Sequence, residues 1–98
     1  MIITDKQWLE ADFAEESKFF EKVTDDMKII HSSDEKDGFF LNEVSVNGKT
    51  YSFADRHAYK NEIEHKRYFR RYAKLALYKA LSDFTGEKPE WGALTGIR

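Results

Sequence analysis

The chain has 98 residues, 41% of them apolar and 15% aromatic, enough to build one small hydrophobic core and too few for two domains. It contains no cysteine, which excludes disulfides, thiolate zinc sites, a cysteine nucleophile and any iron–sulfur cluster ligated by its own thiolates. The net charge of −2 is unevenly divided, with 13 acids against 6 bases in residues 1–55, 8 bases against 2 acids in 56–81, and 3 acids against 2 bases in 82–98.

Residues 1–4 read as a candidate short strand. Two capping-box patterns follow, Thr4 with Gln7 and Asp12 with Glu15, and either can open a helix. Leu9, Phe13, Phe20 and Val23 share one face of a helix that should run to about residue 23, where Thr24, Asp25 and Asp26 compete for backbone hydrogen bonds and end it. Residues 27–31 form a short strand closed by the polar loop 32–38. Residues 39–46 and 49–54 flank Asn47-Gly48, the pairing that a type I′ hairpin turn requires. With a two-residue loop, Val46 faces Lys49 and Val44 faces Tyr51. Phe40, Val44, Val46, Tyr51 and Phe53 then share one face, while Phe39, Leu41, Glu43, Ser45, Thr50 and Ser52 form a mostly polar, wet face.

Residues 59–84 read as one long amphipathic helix, capped at its start by Asp55 or Asn61 and stopped by Gly86, with Pro89 beyond. Phe69, Tyr72, Ala73, Ala76, Leu77, Ala80, Leu81 and Phe84 recur at helical spacing and want a sheet to cover. Beside them runs a basic stripe, Lys66, Arg67, Arg70, Arg71 and Lys74. Twenty-six residues span roughly 39 Å against an expected diameter of roughly 30 Å, so one end should overhang or touch something outside the chain. The predicted fold is a two-layer α+β domain, a small antiparallel sheet of about three strands packed by an N-terminal and a long C-terminal helix.

Few residues suggest chemistry. Glu62 and His65 match one E-x-x-H spacing, which a di-iron bundle needs twice with further carboxylates, and no second copy exists. His31 and His57 have no partner at ligand spacing and read as surface polar residues. The acids Glu10, Asp12, Glu15, Glu16 and Glu21 read as a solvated helical face rather than paired general acids and bases. No G-x-S-x-G elbow or Gly-rich phosphate loop occurs. The basic stripe with Tyr68, Phe69 and Tyr72 suggests nucleic-acid or protein binding. Against nucleic acid stand the acidic remainder of the chain, available to screen the stripe, and a sequence pI near 5.9.

The segment from Glu90 to the end, E-W-G-A-L-T-G-I-R, carries a tryptophan, two glycines and two aliphatic residues, a composition expected of a packed segment leading into a further domain. Together with Leu77-Tyr78-Lys79-Ala80-Leu81-Ser82-Asp83-Phe84-Thr85-Gly86 it resembles one family, the oxygen-independent coproporphyrinogen III oxidase-like (coproporphyrinogen dehydrogenase-like) radical SAM proteins. There, a basic helix ending in L-Y-x-A-L-S-x-x-T-G precedes W-G-x-L-T-G-I-R. The resemblance covers the last 25 to 30 residues. It implies a parent enzyme of heme biosynthesis, an oxidoreductase whose downstream core binds S-adenosylmethionine and a [4Fe–4S] cluster through C-x3-C-x2-C and decarboxylates a porphyrinogen.

This chain lacks that motif, so no catalytic, cofactor or metal residue carries over. What carries over is Trp91, Gly92, Leu94, Thr95, Gly96, Ile97 and Arg98 as an interdomain junction. Residues 1–86 are then expected to be an accessory domain, inactive alone, and 87–98 the connection to a catalytic domain of the same chain. An anionic tetrapyrrole beside Arg67, Arg70 and Arg71 is a further candidate partner, since carboxylates suit guanidinium geometry. The alternative is a stand-alone nucleic-acid- or protein-binding module. No apolar run approaches the roughly 20 residues of a membrane span and no secretory leader is evident, so a cytoplasmic location is expected.

Overall fold

Three eight-residue strands joined by two-residue turns make the frame: β2 (Ile29–Lys36), β3 (Phe39–Val46) and β4 (Lys49–Arg56). The computed structural model describes residues 1–90. Before the frame come β1 (Ile2–Thr4), a single 3-10 turn at Gln7–Leu9 and α1 (Glu10–Ser17); after it comes α2 (Glu62–Thr85). Among the described residues the sheet has four strands in the order β1-β2-β3-β4. β1 pairs parallel to β2 and the other pairs are antiparallel, so the sheet is mixed. The α+β class is as read from sequence, with a fourth, parallel strand added to the expected three.

The Asn47-Gly48 hairpin forms in the expected register, Val46 opposite Lys49 and Val44 opposite Tyr51. The hairpin before it departs from the sequence expectation. Residues 32–36 are the second half of β2, not a loop, and the turn is confined to Asp37-Gly38. Asp37 (φ 54°) and Gly38 (φ 81°) both take positive φ, the same solution as Asn47 (49°) and Gly48 (89°). The pairing with β3 overrides the poor strand propensity of Ser32, Ser33 and Asp34, since a polar stretch on a half-solvated sheet loses little by being extended.

Alternation sorts the side chains. Ile29, His31, Phe40, Asn42, Val44 and Val46 face inward and are buried, whereas Phe39, Glu43, Thr50 and Ser52 are exposed and Leu41 and Ser45 partly so. That outer face is open, as expected.

α2 covers the inner face. Phe69, Ala73, Ala76, Leu77, Ala80 and Leu81 are buried against the sheet and α1. Asn61, not Asp55, caps the helix: its Oδ1 accepts the Glu64 amide at 2.9 Å, and Glu64 Oε1 accepts the Lys60 amide at 3.0 Å. Asp55 belongs to β4, whose pairing runs on to Arg56 opposite Phe39. Gly86 (φ 79°) closes α2, its amide donating to Ser82 O at 2.9 Å. Phe84, expected in the core, is 38% exposed, while Thr85 in the same turn is buried. A 24-residue helix is about 36 Å long, and the molecule, helix included, measures 39 × 30 × 22 Å. The domain is elongated along its helix instead of spherical.

α1 is shorter than expected, ending at Ser17. Neither capping box forms. Thr4 Oγ1 accepts the amide of Lys6, and neither the 3-10 turn nor α1 has a side-chain cap. Phe20 and Val23 follow in turns, where Phe20 still reaches the core at 2% exposure and packs 5.9 Å from the Tyr78 ring. Hydrophobic periodicity here marks burial and not helix.

Candidate functional site

The basic stripe divides along two sides of α2. Lys66, Arg70 and Lys74, spaced four apart, turn toward the first third of the chain. Lys66 Nζ and Arg70 Cζ stand 5.0 and 5.3 Å from the Trp8 ring centre, a cation–π pair of contacts on one indole. Arg70 Nε also pairs with Asp12 Oδ2 at 3.1 Å. Lys74 acts electrostatically on Glu16. Arg67 and Arg71 lie on the solvent side, exposed and without an ion pair among the described residues. Of the three arginines considered for a tetrapyrrole, Arg67 and Arg71 fall together and Arg70 faces elsewhere. Trp8 as the platform for two cations was missed, because the indole precedes the regular helix.

Between Trp8 and the first turns of α2 lies a groove of about 500 Å3 lined by Lys6, Ile63, His65, Lys66 and Phe69. His65 Nε2 contacts Glu35 Oε1 at 2.6 Å across it, so the E-x-x-H histidine is used in tying α2 to β2. No group of three metal-binding side chains occurs among the described residues.

Two polar residues read as surface groups are buried. His31, 1% exposed, has the Phe13 ring edge-on at 4.8 Å. Its Nε2 pairs with Asn42 Oδ1 and its Nδ1 with the Thr4 hydroxyl, both at 2.8 Å. With the proton on Nε2 the imidazole is neutral and both nitrogens are satisfied: Nε2–H donates to Asn42 and Nδ1 accepts from Thr4. The strand alternation carried the signal, since His31 shares the parity of Ile29. Burial pushes its pKa below 6.5. The unfolded chain therefore takes up the proton first, so this contribution is complete above pH 6.5 and erodes as pH falls below it. His31→Gln is expected to cost about 1–3 kcal/mol at pH 7.5 by leaving Asn42 or Thr4 unsatisfied. Urea midpoints of both proteins at pH 7.5 and 5.5 should converge in acid.

Glu16 is the second, 1% exposed, with neither carboxyl oxygen hydrogen-bonded. Burial pushes its pKa to about 9, against the opposing pull of Lys74. It lies three residues after Phe13 and seven after Leu9, on the apolar face of α1, a spacing visible in the sequence.

At the other end of α2, Glu87 is bound into the domain. Its two oxygens accept the amides of Glu21 and Lys22, each at 2.9 Å, and Lys22 Nζ donates to Thr85 O at 3.2 Å. The Tyr78 hydroxyl then donates to Pro89 O at 2.6 Å. Glu87→Ala is expected to cost about 1 kcal/mol, the net worth of such bonds at a partly exposed site. Amide exchange at residues 21 and 22 should speed up selectively. The junction residues Trp91, Gly92, Leu94, Thr95, Gly96, Ile97 and Arg98 lie outside the described residues.

No protein-family model, curated protein or solved structure matches the chain. No helix among the described residues is long and apolar enough to cross a membrane.

Proposed function

We propose that this chain is the N-terminal accessory domain of a radical SAM enzyme of the oxygen-independent coproporphyrinogen III oxidase-like kind, without catalytic residues of its own. The reading rests on the run from Leu77 to Gly86 followed by W-G-A-L-T-G-I-R, which resembles the junction of that family. By that resemblance S-adenosylmethionine and the [4Fe–4S] cluster would be held by the downstream domain; this chain supplies no thiolate for the cluster. The accessory role is to support and orient that domain.

One observation supports it. The chain leading toward the junction is held to the domain as far as Pro89, by the Glu21 and Lys22 amides on Glu87 and by the Tyr78 hydroxyl on Pro89 O, as suits a segment that connects two domains. Sequencing the transcript through codon 98 tests the reading. A continuing frame that encodes C-x3-C-x2-C supports it, and a stop codon directly after Arg98 overturns it.

A further inference from the structure

We propose that the Arg67–Arg71 pair of α2, with the His57–Tyr68 ring stack beside it, is a docking surface for an acidic protein partner. The pair lies one turn apart on the solvent side of the helix, where like charges at i and i+4 disfavour the helix slightly. The sequence offers them no relief. α2 has no acid between Glu64 and Asp83. Glu64, three residues before Arg67 and its natural partner, spends Oε1 on the Lys60 amide. Asp12 is taken by Arg70, and Glu16 is buried beneath Lys74. Among the described residues neither Arg67 nor Arg71 is paired with a carboxylate, and both guanidinium groups are open to carboxylates supplied by a partner.

The neighbouring surface suits a protein. Tyr68, half-buried, is stacked on His57 with ring centres 3.8 Å apart, and His57 Nδ1 is held by Ala58 O at 2.8 Å. An aromatic fixed in this way loses little entropy on contact, and tyrosine and arginine together are the residues that anchor protein interfaces. Guanidinium groups take carboxylates bidentately. A nucleic acid is the poorer fit, because two isolated arginines neutralise few phosphates and residues 1–55 carry a net charge of −7, from 13 acids and 6 bases. The surface stands independently of any downstream domain.

The test is NMR titration of the 15N-labelled chain with a short helical peptide carrying one leucine and glutamates at i and i+4. A lysine-substituted version of the peptide and single-stranded oligothymidine run in parallel. Shift changes should centre on Arg67, Tyr68 and Arg71, and Arg67→Glu with Arg71→Glu should weaken binding at least about tenfold. Both sites are exposed, and Arg67→Gln with Arg71→Gln serves should the charge reversal unfold the chain. Absence of binding, shifts elsewhere, binding unaffected by the substitutions, or tighter binding of oligothymidine each overturns the proposal, the last by assigning the surface to nucleic acid.

Discussion

Glu16→Gln is expected to stabilise the fold at neutral pH and to change little in acid. The carboxyl is 1% exposed, lacks a hydrogen-bond partner, and has its pKa raised from 4.5 to about 9. The folded chain thus keeps a proton that the unfolded chain gives up above pH 4.5. Stability is fully present below that pH, falls as pH rises by about 1.4 kcal/mol per unit, and is fully lost above about 9. At pH 7 the cost is about 3 kcal/mol, which glutamine, having no proton to lose, avoids. Part of that gain is returned through the unpartnered amide N–H groups, so Glu16→Leu should gain at least as much. Urea denaturation of wild type and both variants at pH 4, 7 and 9 decides it. A difference that does not change with pH means that Glu16 is not the group that titrates. The His31 contribution has the opposite sign, so the wild-type profile should flatten below pH 6.5.

Phe40→Ala should cost about 3–5 kcal/mol, the usual penalty for emptying a buried aromatic site. Against a total stability of about 5–15 kcal/mol, that brings the domain close to unfolding. Phe40 is 2% exposed, stacks on Tyr72 at 5.7 Å, meets Phe69 edge-on at 6.0 Å and lies near Tyr59 and His65. It joins β3 to the first three turns of α2. Phe39→Ala is the control, because the adjacent residue points through the other face, is 37% exposed and carries only the Arg56 guanidinium over its ring. That change should cost no more than about 1 kcal/mol. Equal losses would mean that the strand is in the wrong register.

Features with a local cause were readable from the residues alone. Asn47-Gly48 sets its hairpin through positive φ, and Gly86 stops α2 for the same reason. The inward face of β3 and β4 follows from period two once the turn is placed. Asp37-Gly38 carries the same signal, masked in the sequence by its polar approach, Ser32-Ser33-Asp34-Glu35-Lys36. What local pattern cannot supply is the partner: β3 supplies the pairing that makes those residues strand. The site shows the same division. Five cations at helical spacing were visible, but which of them the chain itself neutralises depends on Trp8 and Asp12 arriving from far away in sequence. His31 and Glu16 are polar by type but buried by position within the repeat, and in both cases position decides.

The two tight turns also set an order of assembly. β2, β3 and β4 pair with one another only in sequence order, so their meander has low contact order and can close within microseconds, as isolated hairpins do. β1 must instead cross 27 residues to lie parallel on β2, Ile2 against Ile29, and it holds only three residues when it arrives. The edge that β1 covers is therefore open longest during folding and reopens first afterwards. Native-state amide exchange should find the paired amides of Ile2–Thr4 less protected than those bonded between β2, β3 and β4.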